Sequence, residues 1–127
     1  MMTQMKRKIL VVDDEQDFLS VIRARLSKAG FRVICAHNGK EALAKLKIHK
    51  PLVIVTDVMM PVMDGVDFFQ RLKADRNTRD IPVIVSTVKD QLEESFCAVG
   101  AAEFIAKPFE TGELVQRIEK VLLTQGI

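Results

Sequence analysis

The chain has no C-x-x-C pair: its two cysteines, Cys35 and Cys97, stand far apart. That removes the thiolate spacing of zinc sites and of thioredoxin-type redox centres, and leaves buried, reduced thiols as the expectation. There is no run of about 20 apolar residues, and Met1–Lys8 lacks the apolar core of a secretory signal, so a soluble, cytosolic protein with no membrane partner is expected. A dense basic stripe with interleaved aromatics is also missing. The 19 basic residues nearly balance 17 acidic ones, for a net charge of +2. The one basic cluster along the sequence, Lys6-Arg7-Lys8, reads as a solvated entry to the first strand, and no direct nucleic-acid contact is expected. What remains is a chain of 127 residues with 48% apolar content, enough for one ordinary core and one compact domain, 1–127.

The stretch Leu52–Gly65, LVIVTDVMMPVMDG, organises the rest. Leu52 to Val55 is a short, β-branched apolar run suited to a strand buried on both faces. It ends in a charge, Asp57, before Pro61 and the Asp64-Gly65 turn. Ile9–Val12 forms a first strand of the same kind and also ends in acids, Asp13-Asp14-Glu15. Phe18, Val21, Ile22 and Leu26 recur at helical spacing and predict a helix over Asp17–Ala29, closed by Gly30. Phe31–Ala36 predicts a second strand, and Asn38-Gly39 a turn and cap before a helix over Glu41–Lys47 with Ala42, Leu43 and Leu46 on its apolar face.

After Gly65 a helix with Val66, Phe69 and Leu72 inward runs to about Ala74, and Asp75–Asp80 reads as an exposed loop. Val83–Ser86 is a fourth strand with Thr87 at its carboxyl end. A polar helix around Leu92, Phe96 and Val99 and a short strand Glu103–Ala106, ending at Lys107-Pro108, come next. A last helix near Glu110–Leu123 places Leu114, Ile118, Val121 and Leu122 on one face. Five strands alternating with five helices predict a parallel sheet with helices on both sides, since right-handed crossovers leave few other solutions.

In such a sheet the crevice at the carboxyl ends of the strands is where ligands bind. Strands one, three, four and five exit there at Asp13/Asp14, Asp57, Thr87 and Lys107. Two like charges about 4 Å apart repel by roughly 4 kcal/mol at an effective dielectric near 20, so clustered acids call for a cation. A hard divalent ion such as Mg2+, with oxygen ligands and retained waters, suits them, and Lys107 can hold a further negative group. A carboxylate nucleophile beside a metal and a lysine is equipment for accepting a phosphoryl group.

VVDDE, LVIVTDVMMPVMDG, PVIVST and AKPF, in that order and spacing, resemble the receiver domains of two-component response regulators, the CheY-like family, over about Lys8 to Leu123. The resemblance implies a flavodoxin-like three-layer αβα sandwich with strand order 2-1-3-4-5. It implies Asp57 as phospho-acceptor and as a metal residue, with Asp14 holding Mg2+, or Mn2+ in its place, directly and Asp13 through water. Met59 would add its backbone carbonyl, Thr87 and Lys107 would meet the phosphoryl group, and Phe104, often Tyr in the family, would be the aromatic that turns in the switch. The Lys107-Pro108 bond is expected cis. The implied protein is no enzyme beyond catalysing its own phosphorylation and dephosphorylation. It would take phosphate from a sensor histidine kinase or a histidine phosphotransfer protein and signal through the 91–123 face, to a downstream protein or a second copy of itself. Lys89, Glu93, Glu94 and Gln116 would rim that face, with Ala98 and Val115 as apolar contacts.

Val88 departs from the family's small residue at that position and would narrow the path to the acceptor for donor and water. The alternative function is a metal-dependent phosphohydrolase with an aspartyl-phosphate intermediate. Such hydrolases carry a second acid two residues after the nucleophile, where this chain has Met59. A flavin-binding module is disfavoured as well, because Asp13-Asp14-Glu15 would repel a flavin phosphate after the first strand. His37 and His49 read as surface histidines and Ser86 as pointing away from the site. The chain ends shortly after its last helix, so a stand-alone receiver is expected if the sequence is complete, and a missing output domain if it is not.

Overall fold

A computed structural model describes residues 7–57, 63, 65–87 and 100–125. In chain order its elements are β1 Arg7–Val12, α1 Gln16–Lys28, β2 Phe31–Ala36, α2 Gly39–Leu46, β3 Val53–Thr56, α3 Gly65–Ala74, β4 Val83–Thr87, β5 Glu103–Ala106 and α4 Thr111–Thr124. The five strands form one sheet in the order β2-β1-β3-β4-β5. Every pairing is parallel, so all five carboxyl ends share one edge. The expected helix over 91–99 lies outside the described residues, as do Met59 and Val88.

The strands are apolar on both faces because each face carries its own core. Ile9, Val11, Val53, Val55, Ile84 and Ile105 pack with α1 and α4. Leu10, Val12, Ile54, Val83, Val85 and Phe104 pack with α2 and α3. Adjacent strand residues thus alternate between the two clusters, as a pleated strand requires. Local signals set the boundaries as expected: the Asn38 side chain accepts a hydrogen bond from the Glu41 amide at 2.8 Å and caps α2. Gly30, at φ +99°, takes the left-handed conformation that closes α1.

Three helix faces differ from the sequence expectation. In α1 the buried residues are Leu19, Ile22 and Leu26, while Val21 is 56% exposed. Phe18/Val21 and Leu19/Ile22 are equally good i, i+3 pairs, and the sheet selects the second. In α3 Phe68 is fully buried with Phe69 and Leu72, and Val66, in the first turn, is 46% exposed. Val115, expected on the outer surface of the last helix, is buried beside Leu114 and Ile118. Cys35 is only half-buried, and its burial pushes the thiol pKa up despite nearby Arg23 and Lys45; Cys97 lies outside the described residues.

Candidate functional site

β1 lies between β2 and β3, so the chain direction of the crossovers reverses at its carboxyl end. Asp13 and Asp57 emerge on this edge. The backbone ladder fixes both: the Asp13 amide donates to Ala36 O and the Asp57 amide to Val12 O, each at 3.0 Å. Both carboxylates are buried, which is costly for a charge without a partner.

Lys107 is the partner. It follows β5 and lies 11% exposed, with Nζ donating to Asp13 Oδ2 at 2.6 Å and to Asp57 Oδ2 at 3.3 Å. The other Asp13 oxygen accepts from the Glu15 amide at 3.0 Å. Burial alone would lower the Lys107 pKa, but the hydrogen bond to Asp13 and the charges of Asp57 and Asp13 together hold it above its ordinary value. Aromatic rings seat the ammonium: Nζ is 4.3 Å from the Phe18 ring centroid, and Phe18 meets Phe109 edge-on at 5.9 Å. The Lys107-Pro108 peptide bond is cis, as expected.

Asp14, exposed at the mouth, completes a cluster in which one oxygen each of Asp13, Asp14 and Asp57 lie within 4.8 Å of one another. Among the described residues, three carboxylates face one ammonium, an excess of negative charge. All donors are hard oxygens, and the exposed side leaves room for water ligands, so the set fits Mg2+ better than a softer metal. Neither His37 nor His49 belongs to it. His37 instead contacts Glu41 Oε1 at 3.0 Å and Gln16 Oε1 at 2.6 Å.

Thr87 ends β4, in register with Ala106, one residue before Lys107. Phe104 is buried in the α2/α3-side core, in register with Val85. Two participants escaped sequence reasoning. Phe18, read as a core residue of α1, is the floor under Lys107. Arg117, on α4, donates from Nη1 to Phe104 O at 2.7 Å and to Glu103 Oε1 at 2.9 Å, tying the last helix to β5. No local signal marks either, because each contact spans a large sequence separation.

A doubly wound parallel sheet whose switch-point crevice gathers three carboxylates and a lysine defines a flavodoxin-like domain built around an acidic cleft. The model of the response regulator receiver domain matches residues 9–119, and the chain belongs to that family, the phosphorylation-switched module of two-component signalling. It is 35% identical over 120 residues to the alkaline phosphatase synthesis transcriptional regulatory protein PhoP of Bacillus subtilis, covering 93% of this chain and 49% of that protein. It is 38% identical over 122 residues to the phosphate regulon transcriptional regulatory protein PhoB of Pseudomonas aeruginosa, covering 94% of this chain and 53% of that protein. The chain therefore spans about half the length of these curated relatives.

Among solved structures, the chemotaxis response regulator CheY4 of Vibrio cholerae superposes with a TM-score of 0.86 at 32% identity, covering 93% of this chain and all (100%) of that one. The receiver domain of a sensor histidine kinase from Pseudomonas aeruginosa, with a magnesium ion coordinated in its active-site cleft, superposes at 0.84 with 28% identity, covering 93% of this chain and 98% of that one.

Proposed function

We propose that this receiver accepts a phosphoryl group on Asp57 from a phosphohistidine of a sensor kinase or a histidine phosphotransfer protein, in the cytoplasm. The observation that carries this is the Lys107 bridge, 2.6 Å to Asp13 and 3.3 Å to Asp57, at the edge of a cluster that fits a divalent ion. An Asp57 oxygen attacks phosphorus in line, the bond from phosphorus to the donor nitrogen breaks, and the leaving imidazole recovers a proton from solvent. Asp13, Asp14, Asp57 and the Met59 carbonyl would hold Mg2+, and the ion would supply neutralisation of phosphoryl charge. Lys107 keeps its proton and stabilises a phosphoryl oxygen as a fixed cation; the raised pKa supports this.

Thr87 hydrogen-bonds a second phosphoryl oxygen, which holds Phe104 in the inward position it already occupies, 8% exposed. Burying a phenylalanine is worth roughly 1.5–3 kcal/mol, enough to bias a loop and small enough to reverse. The altered face, 91–123, meets a downstream protein or a second copy of the chain. The phosphohydrolase reading is set aside because Met59 stands where its second acid would be. Acetyl phosphate with Mg2+ is expected to add one phosphoryl group by intact-mass spectrometry, and Asp57→Asn to abolish it. Equal labelling of both proteins would overturn the assignment.

A further inference from the structure

A groove of 1090 Å³ opens between the carboxyl-terminal ends of α2 and α3. The loops after these helices lead into the starts of β3 and β4, so the groove lies at the sheet edge opposite the acidic cleft. Its lining combines apolar Leu43, Leu46 and Ala74 with five cations, Lys47, Lys50, Arg71, Arg76 and Arg79, against one carboxylate, Asp75. In a chain with 19 basic and 17 acidic residues, five against one is a local segregation of charge, not an overall excess.

Cations at helix carboxyl ends often serve only the helix dipole. Here other groups already serve part of both helix ends: after α2 the Ile48 and His49 amides donate to Lys45 O, at 3.1 and 2.9 Å. The Thr78 hydroxyl donates to Leu72 O at 2.7 Å, the Arg79 amide to Asp75 O at 2.8 Å, and Lys73 Nζ to Arg79 O at 3.0 Å. The one carboxylate is engaged with its own loop, accepting from the Asn77 amide at 2.8 Å. Arg71 has Asp67 at 3.9 Å, but Lys47, Lys50, Arg76 and Arg79 have no ion pair among the described residues. The turn that carries Arg76 and Arg79 is thus held in place, which lowers the ordering cost of binding. Ile48, between Lys47 and Lys50, is 78% exposed, an apolar side chain standing in water beside the cations.

We propose that this groove docks an acidic, amphipathic helical segment of another protein, independently of the phosphorylation state of Asp57. The cations match acidic side chains, and the apolar floor with Ile48 matches the other face of such a helix. A phosphate backbone would use the cations and leave the apolar residues idle, so nucleic acid fits less well.

The test uses a fluorescein-labelled synthetic helix of about 14 residues, with Leu at i, i+3, i+4 and i+7 and Glu elsewhere, in fluorescence anisotropy at low salt. Its counterpart carries Gln in place of Glu, and a single-stranded DNA oligonucleotide serves as a non-peptide polyanion. Binding of the Glu peptide is expected to weaken at least tenfold with Arg76→Glu/Arg79→Glu or with the Gln peptide, and several-fold with Ile48→Ser. It should be unchanged with Lys28→Glu on the distant α1, and with Asp57→Asn, so that failure here is separate from failure of the phospho-acceptor assignment. Amide shifts are expected at 43–50 and 71–79. The proposal is overturned if the peptide does not bind, if Lys28→Glu weakens it as much as the groove variants, or if DNA binds more tightly and Ile48→Ser changes nothing.

Discussion

Lys107 Nζ stands closer to Asp13, at 2.6 Å, than to Asp57, at 3.3 Å, so the lysine is anchored on one acid and leans toward the other. The lysine also stands in part for a divalent ion, since its ammonium contacts two of the three clustered carboxylates.

Replacing Lys107 with methionine removes that compensation, and with it the ammonium over Phe18, while keeping an unbranched apolar stem. Breaking a buried pair costs about 3–5 kcal/mol because a charge is left alone, and the lower figure applies here because Asp14 is exposed and water reaches the cluster. Added Mg2+ is expected to raise the Tm of Lys107→Met by more than that of the wild type, since binding to the folded state stabilises it and no ammonium competes. Equal Mg2+ shifts in thermal unfolding would contradict this.

The raised Lys107 pKa fixes a pH dependence. Its folded value lies above the unfolded one, near the ordinary 10.5, so the stabilisation is complete below that pH and is lost as pH rises through the folded pKa. In urea unfolding, the stability gap between wild type and Lys107→Met should be constant from neutral pH to about 10 and then narrow. A gap that narrows toward acid instead would be the wrong sign.

Two alanine substitutions test the face of α1. Leu19→Ala, fully in the core, is expected to lose about 2–5 kcal/mol, whereas Val21→Ala, 56% exposed, should lose less than about 0.5 kcal/mol. Chemical denaturation measures both, and comparable losses would restore the face expected from spacing.

That pair illustrates what was legible in the sequence. Asp13, Asp57 and Lys107 were readable because each stands just beyond an apolar strand, and strand ends of a parallel sheet meet on one edge. The sheet order followed from the resemblance and from the alternation of elements. The choice between Val21 and Leu19, or Val66 and Phe68, depends on where the sheet lies, which spacing alone does not encode. The groove was invisible for the same reason. Lys47, Lys50, Arg71, Arg76 and Arg79 come from two separate segments, so these five form no basic cluster along the chain.

Coupling from Asp57 to the output face predicts an NMR result. With Mg2+ and beryllofluoride, amide shifts should extend from Asp57 through 100–106 and into α4, where Arg117 grips the Phe104 carbonyl at 2.7 Å. Phe104→Leu should shrink the shifts in α4 while leaving those at Asp13 and Asp57. Identical patterns in the two proteins would remove Phe104 from the switch.

The central claim is that Asp57, and no other acid of the cluster, carries the phosphoryl group. Labelling with acetyl phosphate and Mg2+, trapping with borohydride and sequencing the peptides by mass spectrometry addresses it directly, because reduction of an aspartyl phosphate leaves homoserine at the modified position. The account predicts homoserine at position 57 alone. Homoserine at position 13 or 14, or none in a protein whose intact mass has gained phosphate, would contradict it.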